Sequence, residues 1–411
     1  MFEVWKSVSR PGPLYSELQP GSAAPLCGCR PTSKAALSGP GRLPLVGIGR
    51  QGQAAGIKCP GDNHLAWEGD RFPHMKYKRI IVNRNRLLEL VEDDLPNPRP
   101  GEVRVKIQAA GVSFADVLMR EGIHPEARRP PFTPGWDVVG VVEALGEGVE
   151  SVPLGATVTA MPIVGGYAEY ICLPETELVS VPPELDPAEA VCLVLNYVTA
   201  YQMLHRSAQA KPGETALIHS AAGGVGTALL QLARLHGVKT FGTASTSKLS
   251  IIESFGGQAI DYKRCDFLKL IRSSTEGGVD IVFDGIGGWH LVRSFRALRK
   301  NGRLVGYGFN STLVGGKRDL KRIMSDASGW AAAYILNLLS RNKRFLIYSI
   351  QMLKRREPDW FRQDLTTLLG LLERGELRPV IDRRLPLEQA ALAHELLGKG
   401  ETVGKIALVS E

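Results

Sequence analysis

The chain has 411 residues, of which 44% are hydrophobic and 22% charged, so it is too long for one compact core and too apolar to be disordered throughout. Its net charge of +8 is small for this length and gives no support to a nucleic-acid partner. No apolar run approaches the roughly 20 residues needed to span a bilayer, and the six cysteines include no CxxC pair. We therefore expect a cytoplasmic protein of two or three domains with free thiols, no integral membrane segment and no structural zinc cluster.

The first 74 residues differ in composition from the rest of the chain. They contain 11 glycines and 9 prolines, about 27% of the segment against about 15% for residues 75–411. This spacing of helix breakers prevents a sustained amphipathic helix, which disfavours a transit peptide. We predict a disordered or non-native leader over 1–74, and Met75, where organised patterning begins, is the preferred start of the protein.

Residues 76–180 carry the pattern of short strands separated by glycine and proline turns. Alternation or β-branched runs predict strands over 79–82, 86–91, 102–109, 138–145, 156–161 and 167–173. Pro96, Pro98 and the Pro100-Gly101 pair interrupt the pattern between the second and third of them. Short strands with such turns predict a partly open β-barrel.

The pattern changes at Asp186-Pro187, where an N-cap residue followed by proline predicts a helix that runs to about residue 205. The sequence then predicts strands over 215–219, 239–244, 258–261, 279–284 and 302–307, with helices over 225–236, 248–255, 265–273 and 289–298. Five strands alternating with short helices predict a doubly wound parallel sheet covered on both faces, and hence an α/β protein. Three further helices, over 330–339, 360–374 and 388–397, precede a last strand over 405–409.

The loop after the first of these parallel strands carries a glycine motif. It reads Ser-Ala-Ala-Gly-Gly-Val-Gly over 220–226 and opens a helix, as a variant of the GxGxxG dinucleotide fingerprint. Glycine is needed because the pyrophosphate must approach the backbone N–H groups closely and the helix must pack tightly on the strand. The predicted cofactor-binding residues of the loop are Ala222, Gly223, Gly224, Val225 and Gly226.

The end of the second parallel strand indicates which dinucleotide is bound. A carboxylate there would bind the ribose hydroxyls of NAD, but the chain continues with Ser245, Thr246, Ser247 and Lys248. Hydroxyls and a cation suit the 2′-phosphate of NADP, through charge-assisted hydrogen bonds. We therefore predict NADPH as the cofactor, with Ser245 and Lys248 at its 2′-phosphate.

Four motifs together carry a family resemblance. In chain order they are Gly111-Val112-Ser113-Phe114-Ala115-Asp116, Pro134-Gly135-Trp136-Asp137, Ala222-Gly223-Gly224-Val225-Gly226 and Asp284-Gly285-Ile286-Gly287-Gly288. As a set they resemble the medium-chain dehydrogenase/reductases, in the zinc-independent quinone oxidoreductase (zeta-crystallin-like) branch, over about 76–411. The resemblance implies a GroES-like catalytic domain over 75–197, an NADP-binding Rossmann domain over 198–337, a return to the catalytic domain over 338–411, and a homodimer.

The same resemblance implies that no metal is bound. Zinc-dependent relatives place their ligands at positions that match Ser113, Trp136 and roughly Leu195, and none of these residues is a good zinc ligand. Without a Lewis acid the oxidation of an alcohol is hard. A quinone or an α,β-unsaturated carbonyl instead accepts hydride at carbon and needs only hydrogen bonds and a proton at oxygen. We therefore expect reduction of a small apolar quinone or enone.

Further site residues follow from the resemblance. Ser113 stands where relatives carry an asparagine near the nicotinamide, and Thr199 matches a position that faces the nicotinamide. His124 stands before Pro125, where relatives often have a tyrosine, and could donate a proton near neutral pH. Tyr262 matches a tyrosine that flanks the adenosine phosphate. The remaining predicted cofactor-binding residues are Gly308, Phe309, Asn310 and Lys405.

Two other functions remain open at this point. One is an enoyl or alkenal double-bond reductase on the same fold. The other is a non-enzymatic nucleotide-binding protein, as the resemblance to the vesicle amine transport proteins of this superfamily allows. The intact dinucleotide loop favours an enzyme, whereas Ser113 and the basic segment 315–358, a pocket lid or a partner surface, leave the second function open.

Overall fold

The computed structural model of the protein describes residues 75–315 and 317–410. The leader predicted over 1–74 lies outside the described residues. The first part of the described chain forms short strands, as predicted. In chain order the elements are β1 (Lys76–Val82), β2 (Leu88–Asp94), β3 (Glu102–Val112), helix α1 (Phe114–Glu121), β4 (Val138–Leu145), β5 (Thr157–Ala160), β6 (Tyr170–Pro174) and β7 (Val179–Ser180).

The connection between the two halves of the molecule is helical but irregular. The Asp186 side chain accepts a hydrogen bond from the backbone N–H of Ala188 and caps α2 (Pro187–Cys192), as the sequence predicts. The chain then alternates between a π-helical segment (Leu193–Tyr197), the short helix α3 (Val198–Tyr201) and a second π-helical segment (Gln202–Ser207). Such π-turns are frequent at functional sites, and nothing in the apolar pattern of the sequence predicts them.

The strands and helices that follow alternate as predicted. In chain order they are β8 (Thr215–Ile218), α4 (Gly224–Leu235), β9 (Lys239–Ala244), α5 (Leu249–Ser254), β10 (Gln258–Asp261), α6 (Phe267–Ser274), β11 (Val279–Asp284), α7 (His290–Ala297) and β12 (Leu298–Gly306). These strands are parallel, and the central strand β11 is buried along its whole length, because helices cover both faces of the sheet.

The last part of the chain contains more structure than the sequence pattern predicts. The elements are the hairpin β13 (Leu313–Val314) and β14 (Lys317–Arg318), α8 (Leu320–Leu339), β15 (Arg344–Ile347), α9 (Ile350–Arg356), α10 (Pro358–Glu373), β16 (Ile381–Leu385), α11 (Ala390–Lys399) and β17 (Lys405–Val409). No helix within residues 75–315 and 317–410 has both the length and the apolar character needed to cross a membrane.

The parallel sheet has six strands rather than the predicted five, in the order β10-β9-β8-β11-β12-β15. The sixth strand, β15, pairs parallel with β12. It lies beyond residue 337, so the sheet continues past the predicted end of the Rossmann domain. The sequence pattern misses β15 because it is four residues long and directly follows a run of basic residues.

The other large sheet has the order β16-β17-β3-β4-β5-β7, with β6 also paired to β3. Strand β3 is its centre, because every second residue from Val103 to Ile107 is buried and the strand pairs with three neighbours. The C-terminal strand β17 lies beside β3, so the end of the chain returns to the first domain. The α/β fold, with a GroES-like sheet and a doubly wound Rossmann sheet, is confirmed.

Candidate active site

One cavity of about 1030 Å³ lies between the two sheets and receives residues from both. This volume is sufficient to hold one end of a dinucleotide together with a small substrate. Every predicted site residue except Lys405 lines it, although the residues are far apart in the chain. They are Ser113, His124, Thr199, Ala222, Gly223, Gly224, Val225, Gly226, Ser245, Lys248, Tyr262, Gly308, Phe309 and Asn310.

The glycine loop presents an uncapped helix N-terminus to this cavity. Gly223 is the N-cap of α4 and has no side chain to satisfy the first backbone N–H groups of the helix. A Cβ at Gly223 would contact only the Ser220 carbonyl oxygen, at 3.3 Å. A Cβ at Gly226 would instead lie 2.6 Å from the Ala221 Cα, where the helix packs on the end of β8. Glycine therefore has two different roles in this loop. Gly223 keeps the cavity open, and Gly226 permits close packing.

Ser245 and Lys248, the residues predicted for the 2′-phosphate, both line the cavity. The Lys248 ammonium donates hydrogen bonds to the carbonyl oxygens of Gly400 and Thr402, each at 2.6 Å. Burial lowers its pKa below the ordinary lysine value. Lys263 and Arg264, which sequence reasoning did not single out, also line the cavity, and the charge of Lys263 acts on Lys248. Three cations therefore line the cavity in this region, and one ammonium hydrogen of Lys248 is left for a ligand.

Lys405 does not reach the cavity. Its ammonium lies 2.5 Å from the Asp137 carboxylate, and both side chains are almost fully buried. A side chain at Gly111 would collide with both groups, so that glycine makes room for the pair. The structure thus gives Lys405 a structural position instead of the predicted cofactor contact. It lies next to Gly404, whose backbone N–H donates to the Ala222 carbonyl oxygen.

The three positions that the resemblance equates with zinc ligands line the cavity but do not fit a metal. The Ser113 hydroxyl donates to the Asp116 carboxylate at 2.7 Å and belongs to a capping box at the start of α1. Trp136 and Leu195 offer an indole and an aliphatic side chain, neither of which ligates zinc. Burial raises the pKa of Asp116 to about 6, and its carboxylate also accepts from the Gly135 N–H, so it supports the loop.

Among the described residues, one cluster has the composition of a metal site, formed by His219, Asp284 and His290. Its groups are already paired. The His219 ring nitrogens contact the hydroxyls of Thr243 and Ser294, while Asp284 accepts from Ser294 at 2.6 Å and pairs with His290 at 2.7 Å. Burial lowers the pKa of His219 to about 3. The cluster therefore connects the ends of β8 and β11 through hydrogen bonds.

His124 lies in the cavity wall with its ring edge-on to Trp136, at 5.1 Å between ring centroids. Burial lowers its pKa to about 4, so the imidazole is neutral at pH 7. Its Nδ1 accepts a hydrogen bond from the Glu126 backbone N–H at 3.1 Å, which assigns the proton to Nε2. His124 is therefore a neutral N–H donor in the structure, and not the acid near neutral pH that the sequence predicts.

Several side chains of the cavity wall carry no sequence motif. They are Tyr307, Trp330, Tyr348 and Gln351. Each comes from a segment after the fingerprint region, and only the return of the chain to the sheet edge brings it to the cavity. The apolar pattern over 330–339 predicts a helix but gives no indication that Trp330 lines the cavity.

Comparisons with known proteins agree with this geometry. Residues 99–183 match the family described as alcohol dehydrogenase GroES-like domain, and residues 256–408 match the family described as zinc-binding dehydrogenase. The synaptic vesicle membrane protein VAT-1 homolog of Rattus norvegicus is 34% identical over 316 residues, which cover 76% of this chain and 78% of that protein. The quinone oxidoreductase of Homo sapiens is 31% identical over 321 residues, covering 77% of this chain and 91% of that protein.

A solved structure gives the same result for the fold. A mycobacterial protein crystallised with NADPH superimposes with a TM-score of 0.68 at 27% identity, covering 81% of this chain and all of that one. The word zinc in the matched family description does not agree with Ser113, Trp136 and Leu195, because these residues offer no suitable ligand set.

Proposed function

Because the chain belongs to the medium-chain dehydrogenase/reductases, in the quinone oxidoreductase-like branch, we propose that it is an NADPH-dependent oxidoreductase that reduces a quinone or an α,β-unsaturated carbonyl without a metal. The observation that carries this proposal is the continuity of the cavity. It runs from the uncapped N-terminus of α4 to a wall built from Ser113, Trp136 and Leu195, where a metal-dependent enzyme would need ligands.

Cofactor binding is assigned to this chain's own groups. The backbone N–H groups that follow Gly223 would bind the pyrophosphate, because the helix N-terminus carries partial positive charge and no side-chain cap. Ser245, Lys248 and the nearby Lys263 and Arg264 would bind the 2′-phosphate. When bound, NADPH supplies the hydride.

Substrate activation is assigned to His124. Hydride addition to a quinone or enone places negative charge on oxygen, and a preorganised N–H donor stabilises that charge most where water is excluded. We assign this role to His124, which is half-buried and lines the cavity, with its ring edge-on to Trp136 and its Nδ1 occupied by the Glu126 backbone N–H, so that Nε2–H is the donor that remains. A neutral imidazole can stabilise an oxyanion by hydrogen bonding without being an acid at pH 7.

Two alternative functions remain as proposals. An enoyl or alkenal reductase would use the same cavity and hydrogen-bond donor. A non-enzymatic role is favoured by the likeness to proteins named synaptic vesicle membrane protein.

We propose a homodimer, supported by the edge strand β15 and by the exposed Met324, Leu338 and Leu339 of α8. A cytoplasmic location is supported by the free thiols of Cys172, Cys192 and Cys265.

The function is tested by NADPH oxidation with a panel of quinones and enones, with and without a chelator, and again with NADH. We expect chelator-insensitive turnover and a preference for NADPH of about tenfold or more, equivalent to about 1.4 kcal/mol. The variant Lys248→Ala should reduce that preference. Strict dependence on added zinc would overturn metal-free reduction, and equal use of NADH would contradict the 2′-phosphate assignment. Tight NADPH binding without any turnover would favour the non-enzymatic function.

The pH profile tests the role of His124. With a pKa of about 4 the residue stays neutral from pH 5 to 8, so kcat should not fall as the pH rises through 6.5. An imidazolium acid with an ordinary pKa would lose its proton, and the rate, over that interval. His124→Phe should lower kcat roughly 100-fold. His205→Phe, at a half-buried histidine that does not line the cavity, is the control, and an equal loss there would refute the assignment.

A further inference from the structure

Gln351 is a buried side chain of the cavity wall that the proposed function leaves unassigned. It is 5% exposed, and its side-chain nitrogen has no acceptor within hydrogen-bonding distance among residues 75–315 and 317–410. Leaving a buried N–H group unpaired costs about 1–3 kcal/mol. Because Gln351 also lines the cavity, a ligand held there is the acceptor that would remove this cost.

Trp136 shows the same combination in the first domain. Its side chain is 2% exposed and lines the cavity, and its indole N–H has no acceptor in the part of the chain that the structure describes. An indole nitrogen only donates, so its partner must be an acceptor. Two unpaired donors from distant segments therefore border one cavity, which points to an acceptor group of a ligand.

The backbone beside Trp136 is strained. Ile163 has a φ of 76°, which is rare for a β-branched residue, and its backbone N–H donates to the Trp136 carbonyl oxygen at 3.4 Å. Strain of this kind persists where the surrounding structure fixes the conformation, and it is concentrated at functional sites. The position of Trp136 is therefore maintained at a cost in free energy, as expected for a side chain that acts on a ligand.

Helix α9 connects Gln351 to the segment that carries His124. Gln351 and Arg355 are one turn apart on α9 and lie on the same face of the helix. The Arg355 guanidinium pairs with the Glu126 carboxylate at 2.9 Å, and the Glu126 backbone N–H bonds the His124 ring. The Trp136 ring contacts the same imidazole, at 5.1 Å between centroids. Both unpaired donors thus belong to the part of the cavity wall around His124.

We propose that Gln351 and Trp136 are further catalytic residues, whose N–H groups bind the same carbonyl oxygen of the substrate as the His124 N–H. This inference rests on the proposed function, in which hydride addition leaves negative charge on that oxygen. All three donors are uncharged, so they bind a neutral carbonyl weakly and the negative oxygen of the transition state more strongly. The broad terminal torsion of a glutamine allows its amide to turn an N–H group toward that oxygen.

Two substitutions at Gln351 with different electrostatic effects test its role. Gln351→Met removes the donor, whereas Gln351→Glu keeps the shape of the side chain and adds a carboxylate that repels a negative oxygen. We measure kcat for NADPH oxidation by the full chain with menadione and with cyclohexenone. At pH 8 we expect a fall of roughly tenfold in Gln351→Met and roughly 100-fold in Gln351→Glu. A side chain that only fills space would give the reverse order, because glutamate is closer to glutamine in shape.

The pH dependence of Gln351→Glu gives a second readout. Burial raises the pKa of a glutamate above its ordinary value of about 4.3, so the new carboxyl takes up a proton as the pH falls and becomes a donor again. We expect kcat to recover at least about threefold from pH 8 to pH 5.5. Dividing by kcat of the unmodified protein at each pH removes any titration of His124 and Glu126. Gln363→Glu, at an exposed residue of α10 that does not line the cavity, should show neither the loss nor the recovery.

Trp136 is tested by removing its N–H group alone. Benzothienylalanine in place of Trp136 exchanges the indole N–H for sulfur and keeps the shape of the ring, and Trp136→Phe is the genetically encoded counterpart. We expect kcat to fall roughly tenfold in both, while the dissociation constant of NADPH changes less than about threefold. Trp289→Phe is the matched control, because Trp289 donates to the Ser328 hydroxyl and does not line the cavity. Melting curves establish that each variant is folded.

The outcomes separate this inference from the proposed function. If the unmodified protein reduces neither menadione nor cyclohexenone, the proposed function fails. If it reduces either of them but Gln351→Glu is no slower than Gln351→Met at pH 8, or does not recover at low pH, the role of Gln351 is refuted. Unchanged kcat in the folded benzothienylalanine variant would refute the role of Trp136, and so would an equal loss in Trp289→Phe.

Discussion

Replacing Gly223 with alanine should weaken NADPH binding at least tenfold, about 1.4 kcal/mol, without unfolding the protein. The reason is that a methyl group at this position meets only the Ser220 carbonyl oxygen, at 3.3 Å, and would otherwise occupy the space in which the proposed function places the pyrophosphate. The backbone at Gly223 is extended, with φ −82° and ψ 177°, so alanine adopts it without strain. Binding is measured by calorimetry and folding by thermal melting.

The matched variant is Gly226→Ala in the same loop. There the new methyl group would lie 2.6 Å from the Ala221 Cα, so backbone must move where α4 packs on β8. We expect a loss of about 1–3 kcal/mol in the free energy of unfolding. Gly223→Ala should change this quantity by no more than about 0.5 kcal/mol. Tight NADPH binding by a folded Gly223→Ala protein would show that the pyrophosphate does not bind at this loop.

Replacing Lys405 with methionine should give the largest loss of stability, about 3–5 kcal/mol. The Asp137 carboxylate is 0% exposed and its partner ammonium is 2.5 Å away, so the variant leaves a buried charge without compensation. Burial already raises the pKa of Asp137, and Lys405 opposes that rise. The deficit of the variant should therefore shrink as the pH falls and Asp137 takes up a proton, because the folded state then binds more protons than the unfolded state. Denaturant unfolding at several pH values measures it.

The double variant Asp137→Asn with Lys405→Met provides the control. Removing both charges eliminates the unpaired carboxylate, so most of the lost stability should return. Because Lys405 follows Gly404, which bonds the Ala222 carbonyl oxygen, the single variant should also weaken NADPH binding, although Lys405 itself does not line the cavity. A loss below about 1 kcal/mol in Lys405→Met would contradict the structural assignment of this pair.

Local sequence patterns predict much of this molecule because the forces concerned act over short distances along the chain. Asp186 and Pro187 predict the start of α2 through capping and a fixed φ angle. The alternation of apolar residues predicts the strand β4 at its observed bounds, Val138–Leu145. The glycine loop between a strand and a helix predicts the dinucleotide site, because glycine spacing there follows from the close approach of backbone, phosphate and helix.

Other features depend on residues that are distant in the chain. The short strand β15 forms only because β12 offers it a parallel edge, so its own four residues give little signal. Lys405 follows a glycine beside the cofactor loop, and only the fold shows that its ammonium turns inward to Asp137, 268 residues away. The apolar pattern of the helix around Thr199 does not reveal its two π-helical segments.

The sequence by itself determined the family, the alternation of strands and helices in the Rossmann domain and fourteen of the residues that line the cavity, because periodicity, capping and glycine spacing are local properties. Only the tertiary structure decided the chemical state of these residues. Partial burial keeps His124 neutral, and the hydrogen bond that its Nδ1 accepts from the Glu126 N–H places the proton on Nε2. Protonation and hydrogen-bond direction depend on desolvation and on partners from distant segments, which no local pattern records.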